Sequence, residues 1–139
     1  KSWPGFNYSI LRYFNPYGCH NSGKLKSNPK SPVGNIYSEL ERVASGEKEH
    51  FTIYGNDYPT RDGTCVRDYI HISDLSQKHL DALEKMKKIS GTREIRNIGT
   101  GKGVTVLEFV KMFWRVASLG VFSNSVCVSF TKFSVVPFF

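Results

Sequence analysis

Tyr8-Ser9-Ile10-Leu11-Arg12-Tyr13-Phe14 runs straight into Asn15-Pro16-Tyr17-Gly18. The first seven residues are rich in aromatic and branched side chains, which suit a buried strand, and the next four are turn formers. The stretch therefore reads as a strand delivering a loop. In open α/β sheets ligands gather at the carboxyl ends of strands, which puts Asn15 where a binding residue would stand.

Working outward, residues 19 to 34 are polar and read as a long surface loop, a length that in compact units often goes with function. Ile36, Tyr37, Leu40, Val43 and Ala44 then recur at helical spacing, with Asn35 able to cap the start and Gly46 the end. Asn35 is equally open to reading as a ligand contact, since an N-cap needs no ligand at all. Residues 51 to 54 form a short strand candidate, closed by the turn Gly55-Asn56-Asp57-Tyr58-Pro59. A second strand is expected from Val66 to Ile72, after the turn Thr60-Arg61-Asp62-Gly63-Thr64. Ser73 or Asp74 is the expected cap of a helix carrying Leu75, His79, Ala82, Leu83, Met86 and Ile89 on one face and stopped by Gly91. His79 reads as a packing residue. Residues 94 to 98 are a further strand, and Thr105 with Glu108 form a capping box ahead of Leu107, Val110, Phe113 and Trp114. Strands alternating with helices define an α/β class.

Composition excludes several alternatives. The chain has 139 residues, 40% of them hydrophobic, and a formal charge of +7. That is an ordinary globular content, without a repeat or a low-complexity linker. The lysines do not form a stripe: Lys24, Lys26 and Lys30 share a loop, while Lys85, Lys87 and Lys88 sit at a helix end where the macrodipole favours cations. No nucleic-acid partner is expected. Cys19, Cys65 and Cys127 are far apart and lack metal-ligand spacing, so no metal is expected and a reduced, cytoplasmic setting is.

Reaction motifs are missing. Gly99, Gly101 and Gly103 follow a strand and precede a helix, but GxGxxG would need glycine where Val104 stands. A tight strand-to-helix turn is the expected meaning. None of the seven tyrosines has a lysine four positions on, so the YxxxK pair that would supply a phenolate base is absent, as are GxSxG, HExxH and the P-loop. No catalytic residue is assigned.

Leu11-Arg12-Tyr13-Phe14-Asn15-Pro16-Tyr17-Gly18, Ile53-Tyr54-Gly55-Asn56-Asp57-Tyr58-Pro59-Thr60, Asp62-Gly63-Thr64, Val66-Arg67-Asp68-Tyr69-Ile70-His71 and Asp74-Leu75 occur in this order. From about residue 9 to 114 they resemble the UDP-glucose 4-epimerases of the extended short-chain dehydrogenase family. The RDYIH stretch marks sugar-nucleotide epimerases and dehydratases at large, and GNDYPT followed by DGT marks the 4-epimerase branch. The resemblance implies NAD-dependent interconversion of UDP-galactose and UDP-glucose, an isomerase reaction in which hydride leaves C4 of the sugar, the keto intermediate rotates, and hydride returns to the opposite face. It implies the last strand of an NAD-binding Rossmann domain over 1–18, most of a small C-terminal UDP-sugar-binding domain over 19–114, and a divergent tail over 115–139.

Carried over by position, Asn15, Asn35, Tyr54 and Arg67 would bind substrate, with Asn35 near the diphosphate, Tyr54 beside uracil and Arg67 clamping the diphosphate. Tyr13 and Phe14 would lie nearest the cofactor. Two alternatives stay open: Tyr54 as strand filling, and Arg67 paired with Asp62 or Asp68. Asp68, His71 and Asp74 read as structural, ordering the turn and capping the helix. Arg61 stands where the family has an acid and Cys65 where it has glycine. Past Trp114 the family's arginine-bearing segment is missing, and Val116 to Phe139 has no helical period and is too polar for a membrane span, as a translated intron or frameshift would be. The expectation is a fragment inactive on its own, from an enzyme that is a homodimer when whole. Another NAD-dependent sugar-nucleotide epimerase or dehydratase, or a non-catalytic UDP-sugar-binding module, is the alternative.

Overall fold

The computed structural model describes residues 6–20, 22, 34–91, 93–118 and 133–136. It has the α/β composition expected, and the chain divides into two compact units whose pieces alternate along the sequence. One unit comprises Lys1–Lys26 and Asp68–Lys102, the other Ser27–Arg67 and Gly103–Phe139.

In the first unit, strand β1 (Tyr8–Tyr13) continues past Phe14 into β2 (Asn15–Tyr17). β5 (Tyr69–His71) pairs in parallel with β2, and β6 (Arg93–Ile98) pairs in parallel with β1 from Tyr8↔Arg93 to Tyr13↔Ile98. Parallel neighbours need a crossover, and helix α2 (Ile72–Lys88) supplies it between β5 and β6. Ile70, Leu75 and Ile98 are buried together with Leu11 against them. The expected apolar face of α2 is only partly covered: Leu75 and Ala82 are buried, whereas Leu83 and Ile89 are exposed. His79 packs as expected, its ring 5.5 Å from that of Tyr13 and its Nδ1 bonded to the Leu75 carbonyl.

Two local readings are corrected here. The expected strand from Val66 to Ile72 is broken at Asp68, because β4 (Val66–Arg67) pairs with β7 (Val104–Thr105) while β5 pairs with β2. The cap of α2 is His71, not Ser73 or Asp74: its Nδ1 accepts from the Ser73 amide, and Asp74 lies inside the first turn.

In the second unit, α1 (Ile36–Ala44) begins at Asn35, whose side-chain oxygen accepts from Ser38 N at 2.9 Å. It ends at Ser45 with Gly46 in the left-handed region that glycine tolerates. α3 (Val106–Ser118) opens on the expected capping box, Thr105 N donating to Glu108 and Glu108 N to the Thr105 hydroxyl. It runs past Trp114 into residues that show no helical period in the sequence. Leu40, Val43, Val110 and Trp114 are almost wholly buried, and Tyr37 meets Phe113 edge to face at 5.8 Å. β3 (Phe51–Tyr54) pairs in parallel with β8 (Phe133–Val136), so the divergent tail contributes a strand. Among the described residues no helix is long and apolar enough to cross a membrane.

Candidate functional site

The second unit carries an open cleft of about 610 Å³ lined by α1, β3 and β4. That lies within the roughly 300–1,000 Å³ common for small-molecule sites. Tyr54 ends β3 on its wall with 71% of its surface exposed, so among the described residues its ring is not packed as strand filling. A large aromatic ring left bare beside a cavity is a stacking face for a flat ligand.

Three basic residues line the same cavity, and their partners differ. Lys48 donates to Glu39, and Arg42 pairs with both Glu39 and Glu47. The Lys48 hydrogen bond is the main reason the Glu39 carboxyl is held below its ordinary range. Arg67 has no such partner among the described residues. Asp62 faces Thr64 and Thr105, and Asp68 faces Thr100 and Gly101, so neither takes the guanidinium. An unneutralised guanidinium on a cavity wall is a ready fork for a phosphate or carboxylate.

The turn that precedes Arg67 is fixed by geometry only glycine allows. Gly63 has a φ of 78°, and a Cβ there would lie 2.1 Å from the Asn56 carbonyl oxygen. Asp62 is partly desolvated, which pushes its carboxyl up. Donors from the Thr105 hydroxyl and from the Thr64 amide and hydroxyl outweigh this, so the net shift is down.

Of the other expected site residues, Asn35 spends its side-chain oxygen on the α1 cap and is exposed, standing in the chain between the cavity-lining Gly34 and Ile36. Asn15, Tyr13 and Phe14 belong to the first unit. Asn15 is exposed, held by its backbone amide on the Asp68 carbonyl at 3.0 Å. Tyr13 and Phe14 are each about half exposed, and the Phe14 ring abuts Gly99.

The glycine turn after β6 answers the question of a phosphate cradle. The amides of Thr100 and Gly101 both donate to the Asp68 carboxylate, at 2.9 and 2.8 Å, and the Thr100 hydroxyl joins them. Burial raises the Asp68 carboxyl, but these three donors prevail and hold it below its ordinary value. Donors already turned to an internal anion are not free for an external one. This turn therefore does not fit the diphosphate of a dinucleotide, although the bare rings of Tyr13 and Phe14 would suit the face of its flat ring.

Sequence comparison places this geometry in a family: the profile of the NAD dependent epimerase/dehydratase family matches residues 1–99. The chain belongs to that family. Members of the family use NAD, and several of the solved structures that resemble this chain hold it. The UDP-glucose 4-epimerase of Bacillus subtilis (strain 168) is 46% identical over 112 residues, which are 81% of this chain and 33% of the relative. The Bifidobacterium longum UDP-glucose 4-epimerase, solved in complex with NAD+ and UDP, superposes on 96% of the chain and 36% of its own length with a TM-score of 0.79 at 36% identity. The Stenotrophomonas maltophila UDP-glucose-4-epimerase, solved with bound NAD and formylated UDP-arabinopyranose, has a TM-score of 0.80 at 36% identity and the same coverage. The chain thus spans about a third of the length of these relatives.

Sequence reasoning singled out both Tyr54 and Arg67. It missed Thr64, and it read Thr105 only as a helix cap. The signal for Thr64 was its place two residues after an aspartate in a turn, where a hydroxyl and an amide can converge on one carboxylate.

Proposed function

We propose that this chain is the UDP-sugar-holding part of an NAD-dependent UDP-glucose 4-epimerase, the whole enzyme interconverting UDP-galactose and UDP-glucose. The observation that carries the reading is Arg67, a cavity-lining guanidinium with no carboxylate partner among the described residues, on the same wall region as the exposed ring of Tyr54. In this reading Tyr54 takes the uracil face, Arg67 the diphosphate, and Asn35 and Asn15 hydroxyl or phosphate oxygens, while Tyr13 and Phe14 flank the cofactor. The division into 1–18, 19–114 and 115–139, a homodimeric whole enzyme and a cytoplasmic location belong to the same proposal. Chemistry on the sugar would use NAD as hydride carrier. This chain's residues bind and orient, since it has no YxxxK pair.

Calorimetric titration of the 139-residue chain with UDP, uridine and pyrophosphate tests this. UDP is expected to bind, Arg67→Ala to weaken UDP about tenfold or more with little effect on uridine, and Tyr54→Ala to weaken both UDP and uridine. An equal response to GDP, or none to UDP, would sink the reading. A second reading is a UDP-sugar-binding module without catalysis. It predicts UDP binding with no turnover of UDP-galactose in the presence of NAD.

A further inference from the structure

Thr64 and Thr105 are almost completely buried, at 2% and 0% exposure, and both face Asp62. Each hydroxyl has one proton to give and lone pairs to receive. The Thr64 hydroxyl receives the Leu107 amide at 3.2 Å, and the Thr105 hydroxyl receives the Glu108 amide at 3.1 Å. Amides only donate, so each hydroxyl proton is left one direction, toward Asp62. The two land on different oxygens of the same carboxylate. The Cys65 carbonyl receives the Val106 amide at 3.0 Å. The first three amides of α3 thus all end on the segment around Asp62 or on its relay. The carboxylate offsets the positive end of the helix through the two hydroxyls.

β4 begins directly after Cys65, and its pairing with β7 sets Val66 opposite Thr105 and Arg67 opposite Val104. The backbone carrying Arg67 is therefore held on one side by the Asp62 turn and on the other by the residue next to Thr105. We propose that Asp62 is a positioning residue which, through Thr64 and Thr105, sets Arg67 on the cavity wall and thereby determines the affinity of the site for a nucleoside diphosphate. The ligand in this statement rests on the function proposed above, but the geometry does not.

The discriminating variants are Asp62→Asn, which can accept at only one side-chain oxygen, and the pair Thr105→Val and Thr105→Ser, of which only the second keeps the relay. In the full chain, ¹⁵N spectra without ligand report the Arg67 backbone amide, whose strand is paired with β7, and calorimetry with UDP reports affinity, at a temperature where every variant is folded by urea titration. Asp62→Asn and Thr105→Val are expected to shift the Arg67 backbone amide signal away from its position in the unchanged chain and to weaken UDP about tenfold, while Thr105→Ser stays within about twofold of the unchanged chain. In an Arg67→Ala background the Asp62→Asn effect on UDP should vanish. Unmoved Arg67 signals in Asp62→Asn and Thr105→Val, or an undiminished Asp62→Asn effect without Arg67, would overturn the inference. Should the unchanged chain fail to bind UDP, the proposed function falls, and the Arg67 signal by itself decides the role of Asp62.

Discussion

The two units each hold a turn with one aspartate, and they do so by different means. Asp68 takes the Thr100 and Gly101 amides directly in a partly exposed setting. Asp62 works through two buried hydroxyls that pass its charge on to a helix end. Their cores differ in the same sense. The unit of residues 27–67 and 103–139 buries Leu40, Val43, Val110 and Trp114 to 2% exposure or less. The unit of residues 1–26 and 68–102 buries a small cluster around Ile70 and leaves Ile10, Ile95, Leu80 and Leu83 about half exposed. Polar fixing is precise where side chains are dry, and it is there that the cavity is found. Parallel strands are ordinarily covered on both faces, so the open face carrying Ile10 and Ile95 is where the first unit is least complete.

Substitutions can break this contrast. Trp114→Ala should have the largest effect, destabilising the second unit by about 3–5 kcal/mol through the lost burial and the cavity left behind. A urea midpoint shift without change in slope would show it. Leu75→Ala should cost the first unit about 2–3 kcal/mol, near the low end for such truncations, because neighbours that are already exposed can relax around the gap. Equal losses at the two positions would erase the distinction between the cores.

The fold class was legible because helix and strand periods alternate, and the helix starts at Asn35 and Thr105 were legible because capping is local. The errors were non-local. Val66 to Ile72 looks like one strand, yet the Asp68 side chain answers to amides 32 and 33 positions away, and the backbone breaks there. His71 was passed over as a cap because serine and aspartate, better cappers on average, followed it. The strand Phe133–Val136 was not expected at all, since the tail reads as divergent and its neighbour in the sheet lies far back in the chain. For the site, the family resemblance pointed to Tyr54 and Arg67, but that Arg67 has no carboxylate partner among the described residues depends on where Asp62 and Asp68 turn, which no spacing reveals.

Smaller effects sharpen the comparison. Asn35→Ala removes the α1 cap and should cost about 1 kcal/mol, seen as a lowered thermal midpoint. If UDP affinity falls as well, Asn35 serves the site in addition to the helix. The mildest test is acid. Glu108 is drawn down to about 2, first by the Arg61 guanidinium and then by the Thr105 amide. A carboxyl whose folded pKa is depressed adds stability above its unfolded value, and the stability drains away as pH falls from about 4.5 toward 2. Arg61→Met should flatten that part of the acid unfolding curve and lower stability at neutral pH by the same amount, a small one because the pair is solvent-exposed.

The alternation of the two units along the chain also has a consequence for synthesis. Ser9 bonds Glu94 across 85 positions, so β1 leaves the ribosome long before the strand it must pair with exists. The intervening 27–67 segment cannot finish its own unit either, because α3 comes later still. Until β6 emerges, the edge of β1 that it will pair with stays bare, flanked by Ile10, Tyr13 and Phe14, the kind of surface that chaperones cover and that misassembles when they do not.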